Sequence, residues 1–397
     1  MDNEDKASEL SWFMDFMLMF KDPVKAAEWY RESAERGRAG AQCNLGNCYA
    51  KGEGVPKDAV KAVEWYRKAA KQGYASAQLN LGLMYAKGKG VPKDAVKAME
   101  WFRKAAEQGN ATAKCSLGLM YAKGEGVPKD AVEAAEWYRK AAKQGNADAQ
   151  FNLGAMYAKG EGVPKDSVKA VEWYRKAAKR GFARAKFNLG WMYANGEGVP
   201  KDSVEAAEWY RKAAKQGYAS AQLNLGWMYA KGEGVPKDSV KAVEWYRKAA
   251  EQGNANAQFN LGSRYAKGDG VPKDSVKAVE WYRKAAEQGY ARAQFNLGEM
   301  YDNGEGVPRD SVKAAEWYRK AAEQGNEEAQ SNLGAMYYHG IGVPKDAVLA
   351  YMYRNLAAVH GYEAAEQRDA IAETMTPDQI AEAQRLTREW KPTVPPK

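Results

Sequence analysis

The sequence predicts an all-α protein, a solenoid of 36-residue helix–loop–helix repeats, and two observations carry that prediction. The tripeptide Gly-Val-Pro recurs with its proline at Pro56, Pro92, Pro128, Pro164, Pro200, Pro236, Pro272, Pro308 and Pro344, each 36 residues after the last. A fixed period of this length marks a stacked array of supersecondary units. The chain also holds 13 Trp and 24 Tyr against 9 Phe, a bias that follows if a few slots are copied many times. A single core stops growing at roughly 250 to 300 residues, a limit that an array of 397 residues escapes. Nine complete units run from 38 to 361; residues 1–37 read as an N-terminal capping helix plus a first helix B, and 362–397 as C-terminal capping helices and a short disordered tail.

Each unit contains two helical patterns, here helix A and helix B. In residues 38–73, helix A spans Gly40 to Lys51, with Ala41, Leu45, Cys48 and Tyr49 at i, i+4, i+7 and i+8, the spacing of one buried face. Gly46 stands in mid-helix in spite of a propensity cost of about 1 kcal/mol, which implies close approach of a neighbouring helix. The connector GEGVPKD, residues 52–58, supplies glycines for positive φ, a proline that blocks continuation, and Asp58 as an N-cap. Helix B carries Val60, Ala62, Val63, Trp65, Tyr66, Ala69 and Ala70, with Glu64 and Lys68 in the favourable i, i+4 order on its wet side. Gly73 is expected as its C′ residue. Neither helix can bury its stripe alone, so the units must stack. Slots that repeat unchanged describe the scaffold; a ligand would be read by slots that vary.

Hydrophobic residues make up 45% of the chain and charged residues 28%, ordinary values for a soluble protein. The formal charge of +9 could suit nucleic acid, yet the excess is spread over the repeats at about one charge each, where a phosphate footprint would cluster it. Nucleic acid is therefore not the expected partner. Cys43 and Cys48 stand too far apart on one helix for a disulfide, whose Cα atoms lie within about 7 Å, and Cys115 is two repeats away. Asp2, Glu4, Asp5 and Glu9 against Lys6 have the wrong sign for a secretory start. The apolar run Leu10 to Phe20 falls short of the about 20 residues that span a bilayer. These features point to the cytoplasm.

Enzymatic constellations are absent from the sequence. His339 and His360 have no metal-ligand partner at the right spacing. Ser167 and Ser203 lack a nucleophile-elbow context, and Gly88 to Gly90 lacks the Lys-Ser/Thr ending of a phosphate loop. Glu53 and Asp58 do not belong to a calcium-binding loop. No catalytic residue, cofactor or metal is expected.

The run AQFNLGAMYAKGEGVPKDSVKAVEWYRKAAKRG, residues 149–181, resembles the Sel-1-like repeat, a relative of the tetratricopeptide repeat with a longer internal loop. The likeness covers residues 21–361 and joins period, loop and anchor residues. It implies a right-handed α/α superhelix and, as function, an adaptor or scaffold for protein complexes, commonly in bacterial signalling. Some members are secreted, cysteine-rich and lactamase-like, which keeps a lactamase-like or peptidoglycan-directed hydrolase as the alternative. The cysteine pair that bridges each of their repeats has no counterpart here.

At the C-terminus, Thr376-Pro377-Asp378-Gln379 reads as a capping-box start for a helix bearing Ile380, Ala383 and Leu386. At the N-terminus, Leu10, Phe13, Met14, Met17 and Leu18 form one apolar stripe able to cover the first helix B. Trp12, Phe16, Met19 and Phe20 form a second, open to a partner, a membrane surface or another copy of the chain. Self-association through this helix is a third functional reading.

Variation concentrates in three columns of helix A. The Gly40 column includes Asp148, Arg184, Arg292 and Glu328; the Cys43 column includes Leu79, Cys115, Phe151, Phe187, Leu223, Phe259 and Phe295; the Asn47 column includes Leu83, Leu119, Trp191, Trp227 and Glu299. At about 100° per residue, i, i+3 and i+7 make one stripe opposite the Ala41/Leu45 face. By the tetratricopeptide likeness this stripe lines a concave groove that holds a peptide or protein partner. The expected contacts are Leu79, Leu83, Leu119, Phe151, Arg184, Phe187, Trp191, Leu223, Trp227, Phe259, Arg292, Phe295 and Glu299. The alternative is that variation marks a tolerant surface, with the Cys43 column packed between helices.

Overall fold

A computed structural model describes residues 22–358 and 362–393. The N-terminal stripes built on Leu10 and Trp12, and His360, lie outside the described residues. Every regular element among the described residues is α-helical, and consecutive helices pair into a repeat solenoid. The chain divides into two compact units, Met1–Lys201 and Asp202–Lys397, with the boundary in the connector of one repeat.

In the first unit, helix A of the first full repeat is Ala39–Lys51 and helix B is Ala59–Lys71, followed by helix A of the next repeat at Ala75–Lys87. Each helix B packs between its own helix A and the following one. Leu45, Leu81, Leu117 and Leu153 are fully buried along this seam, and burying one such side chain stabilises by about 1.5 to 3 kcal/mol. The second unit repeats the pattern around Leu225, Leu261, Leu297 and Leu333.

The local signals of the connector act as physical chemistry requires. Gly52 takes φ 83° as the C-cap of helix A. Asp58 then accepts hydrogen bonds from the Val60 and Lys61 amides at 3.0 Å each, while its own N–H donates to Tyr49 O at 2.9 Å. The loop is thus pinned at both ends. The second connector glycine meets the preceding repeat: a Cβ at Gly90 would collide with the backbone carbonyl of Ala59, so no other residue fits there. Gly46 has a different cause. A Cβ there would lie 2.7 Å from the Tyr66 ring, so the missing side chain makes room for an aromatic from helix B of the same repeat.

Two features of helix B depart from the sequence reading. Val60 does not join the core: it is exposed, as are Val96, Val132 and Val168 in the first unit and Val240, Val276 and Val312 in the second. The buried stripe of helix B is Ala62, Val63, Tyr66, Ala69 and Ala70, and the second helical position points away from it. Lys68 does not chiefly serve Glu64; its Nζ sits 3.9 Å above the ring of Trp65, which is half-buried beneath it. The same lysine–tryptophan stack recurs at Lys104 on Trp101 and Lys284 on Trp281. The i, i+4 ion pair is formed by Lys212 with Glu208 at 3.7 Å. Arg67 is likewise tied to the scaffold, donating to the Tyr85 hydroxyl of the next repeat at 3.3 Å. Much of the positive charge is therefore part of the stacking.

The C-terminal end carries the capping box read from the sequence. Thr376 Oγ1 accepts from the Gln379 amide, and Gln379 Oε1 accepts from the Thr376 amide at 2.9 Å. Helices Tyr362–Ala372 and Pro377–Glu389 pack on Ala347–Ala358, burying Ile371 and Ala383. Where a loose end is expected from Lys391, the described part is tied back: the Thr393 N–H donates to Glu323 O at 2.9 Å. Residues 394–397 lie outside the described residues.

Candidate interaction face

The three variable columns differ in what they expose. Side chains of the Cys43 column are buried at Cys43 and half-buried at Leu79, Phe151, Phe187, Leu223, Phe259 and Phe295. They fill the gap between successive repeats. Phe151 packs on Tyr174 of its own helix B at 5.6 Å between ring centroids and on Phe182 of the next repeat at 5.1 Å. The Arg184 guanidinium lies over the same ring at 5.1 Å. In the second unit Phe259 packs on Tyr282 and Tyr290, and Phe295 on Tyr318. This column is therefore a half-covered floor with aromatic walls.

Three members of the Asn47 column stand proud of that floor. Leu119 is 42% exposed, Trp191 43% and Trp227 44%. Leu83 is half-buried. Glu299 is half-buried as well, and burial, then the Glu328 and Glu305 carboxylates, holds its carboxyl above the usual range. Arg184 and Arg292, from the Gly40 column, are exposed. In the second unit Phe259, Arg292, Phe295, Asn296, Asn326 and Glu328 line a hollow of about 410 Å³, which brings three of the expected residues to one opening.

Two polar columns on helix A escape a reading based on apolar periodicity. Tyr66 donates its hydroxyl proton to Asn47 Oδ1 at 2.8 Å, and Asn80 of the next repeat donates to the same oxygen at 3.0 Å. Where the Asn47 slot holds another residue, Tyr138, Tyr174, Tyr282 and Tyr318 are hydrogen-bonded instead to Asn152, Asn188, Asn296 and Asn332 of the next repeat, which share the slot of Asn80. Buried glutamines form the other column. Gln42 donates to Ala34 O of the preceding helix B at 3.1 Å and accepts from Gln72 at 2.8 Å. The recurrence of Asn and Gln at fixed slots was the available signal, since a buried amide is kept only when its hydrogen bonds are made.

Consecutive helix pairs closed by a glycine–proline connector define an all-α repeat solenoid. The model of the Sel1 repeat matches residues 11–37, 39–74, 75–110, 111–146, 147–182, 183–218, 219–254, 255–290, 291–326 and 327–362. The chain belongs to the Sel1 repeat family. It is similar to c5321 of uropathogenic Escherichia coli, a protective antigen displaying an SLR fold, at 37% identity over 92% of this chain and 94% of that one, with a TM-score of 0.54. A Sel1 repeat protein from Oxalobacter formigenes is also 37% identical, over 81% and 92% respectively, with a TM-score of 0.60. No curated protein matches the chain. Solenoids of this family are typically non-enzymatic scaffolds and generally mediate protein–protein interactions. Among the described residues no cluster of His, Cys, Asp or Glu is arranged to hold a metal ion, and no helix is long and apolar enough to cross a membrane.

Proposed function

We propose that the protein is an interaction scaffold that binds a peptide or protein partner along the concave helix A face. One observation carries this reading: the exposed large apolar side chains on helices A, among the described residues, are Leu119, Trp191 and Trp227, and all three fall in a single column. An apolar residue left in water at a slot that elsewhere holds Asn47, Ser263 or Glu299 serves no packing purpose, whereas aromatic anchors with a charged rim are what partner surfaces use. Arg184 and Arg292 supply that rim, and Leu79, Leu83, Phe151, Phe187, Leu223, Phe259 and Phe295 supply the floor. A cytoplasmic setting belongs to the same proposal, on the support of three cysteines with no bridging pair.

The test is affinity capture from source lysate with the parent protein and with Leu119→Ser, Trp191→Ser and Trp227→Ser variants of equal thermal stability. Proteins enriched by the parent and lost with the variants are the expected outcome. An identical captured set would refute the helix A reading and leave self-association or the hydrolase alternative to be examined.

A further inference from the structure

A glutamine pair ties five of the repeats. Where Lys114 replaces its acceptor, the lysine donates to Gln144 at 3.1 Å. In one repeat of the first unit, however, the buried glutamine stays and its donor is lost, which opens a site. In five repeats a glutamine at the end of helix B donates to the Oε1 of the buried helix A glutamine: Gln72 to Gln42, Gln108 to Gln78, Gln252 to Gln222, Gln288 to Gln258 and Gln324 to Gln294, all at 2.7 to 2.8 Å. In the repeat 147–182 the donor is replaced by Arg180. Gln150 still donates to Ala142 O at 3.1 Å. Its Oε1, however, has no partner among the described residues, although the side chain is only 6% exposed.

A buried amide oxygen without a donor costs about 1 to 3 kcal/mol, so the arrangement favours a ligand that supplies one. The surroundings say what else such a ligand carries. Gln150 lines a hollow of about 440 Å³ together with Lys143, Gly145, Trp173, Lys176 and Arg180. The Arg180 guanidinium lies against Gly145 of the preceding repeat, where a Cβ would stand 2.7 Å from it. Lys176 Nζ sits 4.0 Å over the Trp173 ring. None of these three cations forms an ion pair among the described residues.

We infer that this hollow binds a phosphate monoester. Three cations lining one hollow suit a group of charge near −2, for which Arg offers a bidentate fork. Either a protonated phosphate oxygen or the backbone N–H of a phosphorylated peptide supplies the donor that Gln150 Oε1 lacks. The site lies at the junction of helix B with the next helix A and does not rest on the helix A face proposed above.

Arg180→Gln is the decisive variant, because it recreates the pair present in five other repeats and so keeps the fold. Titration of the full chain with inorganic phosphate, followed by thermal shift and calorimetry, should stabilise the parent. In R180Q phosphate affinity should fall at least tenfold while the midpoint without phosphate stays equal or rises. Lys143→Gln should weaken phosphate binding without restoring the glutamine pair. A phosphoserine peptide binding more tightly than inorganic phosphate would assign a peptide-borne group, and equal affinities a free one. The proposal is overturned by no phosphate-dependent shift in the parent, by an undiminished shift in R180Q, or by a glutamate peptide that binds as tightly as the phosphoserine peptide.

Discussion

The seam between helices A and B and the variable helix A face sit on the same helix, yet they obey opposite rules. At the seam, Leu153 is fully buried and Gly154 leaves room for the Tyr174 ring, and both residues recur at their slots in every repeat. On the other face, the slot of Asn47 holds leucine, alanine, tryptophan, serine or glutamate, and its largest members face solvent. Packing tolerates one solution and copies it; recognition changes from repeat to repeat. The lesson is that in a solenoid the informative residues are the exceptions within a column.

That contrast can be broken at its strong side first. Leu153→Ala should destabilise by about 2 to 5 kcal/mol, since it removes a fully buried side chain, and chemical denaturation would measure it. Gly154→Ala adds a methyl where a Cβ would stand 2.8 Å from the Tyr174 ring; overpacking of this kind costs about 1 to 3 kcal/mol. A neutral Gly154→Ala would show that the ring yields and that the slot is not a packing constraint. Lys68→Ala tests the outer side of helix B, where the ammonium covers Trp65; a loss of about 0.5 to 1 kcal/mol is expected, with no larger loss when salt is raised.

The smallest expected effect belongs to the variable face. The folded protein holds the Glu299 carboxyl above its unfolded value, by burial first and then by Glu328 and Glu305. Folding therefore favours the protonated form: that contribution is present in full below the ordinary carboxylate range and is lost as pH rises through the raised value. Glu299→Gln should raise the melting temperature modestly at neutral pH and leave it unchanged in acid. A gain that grows on acidification would have the wrong sign for this account.

Much of the fold was legible because the connector's chemistry is local. Pro56, the positive φ of Gly52 and the Asp58 cap act within a few residues, so sequence order alone exposes them. Val60 and Lys68 misled for the opposite reason. Whether a valine at the start of a helix is covered depends on the angle at which the next repeat arrives, and whether a lysine answers Glu64 or Trp65 is decided by side-chain competition on one turn. The amides of Gln42 and Asn80 were hidden because their partners lie in other helices, although their recurrence announced them. The candidate face was legible as a set of columns. Packing of the Cys43 column between helices was one of two readings left open there, and which members of the Asn47 column face solvent could not be chosen, since both need the spacing of the repeats.

The central claim is that the exposed members of the Asn47 column, Leu119, Trp191 and Trp227, serve a partner and not the fold. Its most direct test replaces Trp191 and Trp227 together by alanine and measures thermal unfolding alongside the affinity for a captured partner. The account predicts a melting temperature within a few degrees of the parent and binding weakened at least tenfold, about 1.4 kcal/mol. A double variant that unfolds, while its folded fraction binds with undiminished affinity, would make these tryptophans part of the scaffold and contradict the account.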